Sequence, residues 1–552
     1  MQKVILLGLD GASYNVIQPW VDEACLPAFA RLLREGSHGV LKSTFPPVTV
    51  PAWAAMMTGK NPGRLGYHDF SERKDGSYHF GAVNLRWDEI GPAWKIASDH
   101  GKQVCVFNVP TTPVPTYPLN SIFVAGPGPL ELGLGGRWAR PERVQHQLQA
   151  VEYDKAMSMP AGLSAPEILA HLQQQAELQC QLATRFLAEE PWDLFIFCLF
   201  VTDLAEHLCL GTEEQGSPAQ SGRAREQGSG GDVGALLRIY QVADKWLGGV
   251  LDNLPEGCNL IVVSDHGQAP ARWMLDLNSW LKEQGFLLTK QGRRRWLGRR
   301  DIYGLISRWG LFPLYKRLTA YETLSRVDVA LKKRIPWERR LLEVTDWPRT
   351  QAYSISNGGI FVNRRGREPQ GCVAEEEYDL LREKLIAALR TMPDPETGKP
   401  VIRRSFRREE VYQGEFLEKM PDVIVDWEEG YSNLVSEGIP RCEVFTPPAH
   451  RFHGGVHTRD GILIGWGPDI ATGKDIGRAR IVSVAPTLLY LLGLPVPTGL
   501  DGEVLTGLLR PESLSPIQTG PQGEGGTPSE GGISPSDEAA ILDRLRQWGY
   551  LD

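Results

Sequence analysis

The sequence predicts an α/β protein with a mostly parallel sheet, on two observations. Apolar runs of strand length alternate with helical segments, the pattern of strand–helix–strand crossovers. Three of those runs then close on an aspartate, the placement expected at the carboxyl edge of an open sheet.

Taken in order, "KVILLGLDG" (3–11) is a continuous apolar run closed by Asp-Gly, which suits a strand buried on both faces. "PAFARLLREGS" (27–37) carries helical periodicity and stops at glycine. "QVCVFNVP" is the next strand, followed by the long helix "APEILAHLQQQAELQCQLATRFLAEE". "DLFIFCLFVTD", a helix through "LLRIYQVADKWLGGVLDNL", and "NLIVVSDHG" complete the alternation. We therefore expect residues 1–292 to form the first part of an α/β core. It is interrupted at 211–232 by the polar, Gly/Ser-rich stretch "GTEEQGSPAQSGRAREQGSGGD", read as a flexible insert. Residues 293–345 are strongly basic, with Arg293, Arg294, Arg295, Arg299 and Arg300 leading the run, and read as a helical cap insert. The core would resume over 346–510. The Pro/Gly/Ser-rich stretch 511–536 reads as a disordered linker, and 537–552 as an amphipathic tail segment.

Bulk properties exclude several classes. With 42% hydrophobic and 23% charged residues the composition is that of a globular protein, and a net charge of −8 argues against a nucleic-acid polymer as partner. No apolar run approaches the ~20 residues a membrane helix needs. The N-terminus lacks the apolar length and small-residue cleavage site of a signal peptide. Eight cysteines without a C-x-x-C spacing argue against a disulfide framework or cysteine zinc site, so a reduced, cytoplasmic protein is expected. Oligomeric state is not legible.

The chemistry-bearing residues gather at the strand ends. Asp10, Asp203 and Asp265 each close an apolar run and would converge on one sheet edge, although a lone aspartate there serves equally as a turn former. His207 lies four residues after Asp203, on the same face of a helical turn, and His266 follows Asp265 directly. His450, His453 and His457 form a third group in "HRFHGGVHTRDG". Mixed Asp/His sets without a thiolate suit divalent zinc or manganese in a catalytic role. Two such ions roughly 3.5–4 Å apart would clamp the attacking and leaving oxygens of a phosphoryl displacement.

In their order these pieces resemble the alkaline phosphatase superfamily, in its type I phosphodiesterase/nucleotide pyrophosphatase-like branch. The resemblance rests on the strand ending at Asp10, "FPPVTVPAWAAMMTGKNPGRLG", "TDLAEH", "SDHG" and "GGVHTRDG", and spans residues 1 to about 510. The stretches "GGIFVNRRGREPQG", "PDVIVDW" and "WGYLD" are further similar to soluble microbial members described only as predicted phosphohydrolases or phosphomutases. The resemblance implies an alkaline-phosphatase-like three-layer sandwich with a mostly parallel sheet, helices on both faces and a cap insert. It implies two divalent metal ions, zinc first and manganese second. Asp203, His207 and His457 would hold one; Asp10, Asp265, His266 and the Thr49 hydroxyl the other. His450 and His453 have no clear counterpart in the family; His453 would either support a metal ligand from behind or be a plain loop histidine.

Thr49 is the implied nucleophile, forming a phosphothreonine intermediate that water then hydrolyses. Its position two residues before Pro51 puts it beside the start of a helix, where free N–H groups favour an anion. The same position suits a plain N-cap. A nucleotide-specific relative places an asparagine about twenty residues after the nucleophile to contact phosphate. This chain has Phe70 there, beside His68 and Asp69, and an ionised Asp69 cannot donate. His68, a backbone N–H or a residue from elsewhere would have to substitute. The chain also lacks the C-x-P-x-R of sulfatase relatives. The expected function is thus a two-metal phosphodiesterase, nucleotide pyrophosphatase or phosphomonoesterase acting on a small phosphorylated substrate. A phosphomutase or phosphotransferase is the alternative, and a non-catalytic metal-binding scaffold a third reading. The basic cap would bind an anionic substrate or lipid head group, or be a solvated helical face.

Overall fold

A computed structural model of the chain describes residues 2–74, 76–83, 86–126, 138–160, 162–211, 232–290, 337–433, 444–448 and 454–521. Segment 293–336 of the basic run, residues 212–231 of the polar insert, the tail 537–552, His450 and His453 lie outside the described residues.

A nine-stranded sheet organises the fold. Its strands are β1 (Lys3–Leu9), β2 (Ser37–Lys42), β3 (Val104–Phe107), β4 (Ser121–Val124), β5 (Ala139–Arg140), β6 (Leu194–Leu199), β7 (Cys258–Val263), β8 (Asp460–Trp466) and β9 (Lys474–Arg480). They lie in the order β9-β2-β8-β7-β1-β6-β3-β4-β5. β1 runs parallel to β6 and β7, β3 parallel to β4 and β6, and β2 parallel to β9; β8 and β5 are the antiparallel members. The mostly parallel sheet that the apolar runs predict is the one observed.

Alternation along β1 makes the three layers. Ile5, Leu7 and Leu9 pack into one cluster with α2 (Ala165–Glu189) and α4 (Val233–Asp252), through residues such as Phe186 and Leu247. Val4 and Leu6 point the other way, toward Trp53 and Met57 of α1 (Thr49–Thr58) and Leu488 of α5 (Val484–Leu491). Side chains of a strand alternate between faces, so a strand covered on both sides must be apolar throughout. Gly8 is required by the Trp53 indole: a Cβ there would fall 2.2 Å from its ring.

A second, smaller sheet is antiparallel and has its own core. Strands Ala352–Ser356, Gly359–Val362, Val423–Trp427 and Ile402–Arg407 lie in that order, with the helix Glu375–Arg390 against them. Residues 511–521, at the start of the stretch read as linker, include the short strand Thr519–Gly520, paired with Val496–Pro497. No helix among the described residues is long and apolar enough to cross a membrane.

Candidate active site

Neighbouring strands deliver the acidic groups. Asp10 follows β1 directly and Asp265 lies two residues beyond β7, the strand beside it. The run ending at Asp203 divides into two elements. β6 stops at Leu199, and Asp203 and His207 sit on one face of the helix α3 (Val201–Cys209). His457 arrives from the strand Gly455–Thr458, which pairs antiparallel with Gly267–Pro270 so that His457 lies opposite Gln268. Thr49 is the first residue of α1, with Val48 as its N-cap, and is 4% exposed. The first-turn amides of a helix have no carbonyl four residues back, and Pro51 in this turn has no N–H to satisfy.

These residues form two adjoining groups. In one, His207 Nε2 lies 3.6 Å and His457 Nε2 3.3 Å from Asp203 Oδ1, with the two Nε2 atoms 2.9 Å apart. In the other, His266 Nε2 lies 3.7 Å from Asp10 Oδ1, 3.2 Å from Asp265 Oδ2 and 3.4 Å from Thr49 Oγ1. The imidazoles of His266 and His457 stack at 3.8 Å between centroids and bring the groups together. Within each group the three Asp and His side chains offer ligand atoms all within 4.8 Å of one another.

The charge balance of this cluster is poor. Burial, with Asp265 and Asp203 adding repulsion, holds the Asp10 carboxyl well above its usual range. Burial and the Asp203 charge push Asp265 up to about 7. Burial would raise Asp203 too, but His207 and His457 outweigh it and hold that carboxyl low. Burial drives His266 well below the ordinary imidazole value, whereas for His457 the bond to Asp203 overcomes burial and raises it.

The donor set fits divalent cations. Each imidazole has its Nδ1 on a backbone carbonyl: His207 on Gly455 at 3.0 Å, His457 on Pro47 at 2.9 Å and His266 on Gly267 at 3.3 Å. A carbonyl only accepts, so Nδ1 carries the proton, and in its neutral form each ring turns the Nε2 lone pair toward the cluster. Asp10 Oδ1 and Asp265 Oδ2 are buried without a hydrogen bond from the described residues. Lone pairs facing lone pairs and unpartnered buried carboxylate oxygens are stabilised by positive charge between them.

Four supporting residues were not singled out from the sequence. Gln268 donates Nε2 to the Asp203 carboxylate and to its carbonyl oxygen at 3.0 Å, and Trp53 Nε1 donates to Asp10 Oδ2 at 3.0 Å. Gln268 follows "SDHG" directly, so proximity to that motif was its one available signal. Gly11 leaves room for Asp203, since a Cβ on its positive-φ backbone (75°) would sit 2.9 Å from Asp203 Oδ1.

The fourth is Asn357, between the first two strands of the small sheet. Its backbone N and side-chain Nδ2 donate to Asp69 at 2.8 and 3.3 Å. The next residue, Gly358, lies against Pro46 of the loop before Thr49. His68 is buried edge-on to Phe361, and burial pushes its imidazole down to about 3. It is therefore a neutral core group.

The family model described as Type I phosphodiesterase / nucleotide pyrophosphatase matches residues 4–457. Among solved structures, human ectonucleotide pyrophosphatase / phosphodiesterase 5 is similar at 14% identity, over 92% of this chain and 100% of that one, with a TM-score of 0.47. The murine protein of the same name, as an inactive variant in complex with AMP, is similar at 12% identity over 92% and 100%, with a TM-score of 0.49. No curated protein is similar enough to the chain to count as a relative. Matched by the family model over most of its length, this chain belongs to the type I phosphodiesterase/nucleotide pyrophosphatase family, a family of metal-dependent phosphoric ester hydrolases.

Proposed function

We propose that the protein hydrolyses a small phosphoric ester in two displacements at phosphorus, with Thr49 Oγ1 as the first nucleophile. The observation that carries this reading is the position of that oxygen. It lies at the first residue of a helix, 3.4 Å from His266 Nε2 and beside two Asp/His groups. Asp203, His207 and His457 would hold one divalent cation, and Asp10, Asp265, His266 and Thr49 the other. Zinc is the best match to these donors and manganese the second. Two such ions would make the threonine hydroxyl more acidic and neutralise charge on the phosphoryl oxygens.

The chain's own groups do the rest. Free amides at the start of α1 receive a phosphoryl oxygen, and the helix dipole favours negative charge there. Thr49 Oγ1 loses its proton and bonds to phosphorus as the ester oxygen leaves with its electron pair, giving phosphothreonine. Water then attacks phosphorus from the vacated side and Oγ1 departs, so phosphate or a phosphomonoester is released. Asp69 holds Asn357 beside the nucleophile loop, and the Asn357 amide supplies the phosphate contact that Phe70 cannot. The seven described cysteines are free thiols, which supports a reducing, cytoplasmic compartment. Metal analysis followed by a screen of model mono- and diesters on wild type and Thr49→Ala tests the mechanism. Full activity in Thr49→Ala would overturn it.

A further inference from the structure

The strand Ile402–Arg407 is an edge of the small sheet, and its pairing with Val423–Trp427 is irregular between Ile402 and Arg404. The irregularity breaks the inside–outside alternation. Ile402 and Ser405 are buried, while Arg403 and Arg404 are both exposed. An irregularity of this kind re-aims side chains at a sheet edge. Here it sets two consecutive arginines into the lining of a groove of about 810 Å³.

The groove is cationic. Arg390, Lys399 and Arg272 join the two arginines, against the carboxylates of Glu410 and Glu428. Arg272 is tied to Asp394 at 3.2 Å and to Glu396 at 3.0 Å, and Arg403 to Glu428 at 3.3 Å. Among the described residues, the side chains of Arg390, Lys399 and Arg404 make no ion pair, although Arg404 lies across the strand from Asp426 and its charge bears on that carboxyl. Ser405 also lines the groove, is 4% exposed, and its hydroxyl has no hydrogen-bond partner. The groove adjoins the nucleophile loop. Phe406 in its wall packs edge-on against Phe45 at 5.4 Å between centroids, and Phe45 is four residues before Thr49.

We propose that this groove is a second anion site, distinct from the Asp/His cluster, for a ligand carrying two or more phosphate groups. Guanidinium forks match phosphate oxygens bidentately, and an ammonium adds a point charge without directional demands. Three unpaired cations spread around one concavity suit several linked phosphates rather than one. Ser405, in the lining, has a buried hydroxyl free to donate. The ligand is either the distal phosphate group of the substrate or a free oligophosphate, which present the same chemistry. The site stands on its own residues and does not depend on the role of Thr49.

The test is calorimetric titration of the purified full-length protein with methylenediphosphonate, whose P–C–P link resists hydrolysis. Lys399 and Arg404 are exposed, so Lys399→Ser/Arg404→Ser should keep the wild-type melting temperature. It should weaken binding at least about tenfold. Thr49→Ala should bind as wild type does, and added salt should weaken binding in both. Steady-state kinetics separate the two sources. If the ligand is the substrate's own distal phosphate, the double variant raises KM for a triphosphate ester and not for a monophosphate ester. If it is a free oligophosphate, both KM values stay constant, and added methylenediphosphonate changes both rates in wild type but neither in the double variant. No measurable binding, equal binding in wild type and double variant, or loss in Thr49→Ala alone overturns the proposal. So does tighter binding of a hexaglutamate peptide, which would assign the groove to an acidic protein partner.

Discussion

His207 Nε2 and His457 Nε2 lie 2.9 Å apart although 250 residues separate them in the chain. Each ring is held by its Nδ1 on a backbone carbonyl, so neither nitrogen can turn away to find another partner. The Asp203 carboxylate completes this arrangement, which is stable when a positive charge sits among the three groups.

Chelation should therefore cost stability as well as activity. A cation at a hundred times its dissociation constant contributes about 2.7 kcal/mol to the folded state. Removing bound metal should lower the melting temperature by a few degrees, and zinc or manganese should restore it. An unchanged melting temperature, with no metal in the purified protein, would sink the assignment.

Thr49→Ala should lower kcat by about a thousandfold or more while the protein keeps its fold and most of its metal. Thr49→Ser keeps an oxygen at the first residue of α1 and should retain part of the activity. Mass spectrometry of acid-quenched wild type should find phosphate on Thr49.

Gln268→Ala removes the donor that orients Asp203 while leaving every proposed ligand in place. Loss of such an outer contact typically weakens metal binding about 10–100-fold. Competition against a fluorescent chelator should register that loss for one ion per chain and leave the second unaffected.

Asp69 and Asn357 should behave as a unit. Asn357→Ala and Asp69→Ala are each expected to reduce kcat/KM about tenfold, the worth of one hydrogen bond to a charged group. Because Asp69 acts by holding Asn357, the double variant should lose no more than either single one. Additive losses would separate the two residues.

Asp422 offers a pH test away from the site. Burial would raise its carboxyl, but Arg367 and Arg408 outweigh that and hold it at about 2, against an ordinary 3.8. Arg367 binds it through two bonds, at 2.8 and 2.6 Å, and Tyr378 adds a third at 2.5 Å. A carboxyl depressed in the folded state stabilises fully above its unfolded value, and loses that contribution as pH falls through the folded one. About 2 kcal/mol should vanish between roughly pH 4 and pH 2. Urea unfolding of wild type and Asp422→Asn should show the variant less stable at pH 6, with the gap narrowing in acid.

The sequence by itself determined the layer architecture, because a strand buried on both faces has to be apolar over most of its length: β6 is apolar throughout, and β1 and β7 depart from this only near their starts, at Lys3 and Asn259. It also determined the short-range geometry of the candidate site. Asp203 and His207 share a helical face at a spacing of four, and Asp265 and His266 are adjacent. What lay beyond it were contacts made by register and strand order. Asn357 meets Asp69 because a hairpin turn packs on a distant bend, whereas the placement of Gln268 opposite His457 and of two consecutive arginines in one groove follows from how distant strands pair. One step of register turns each such side chain to the other face. Local patterning carries no record of that step, and only the assembled tertiary structure decided it.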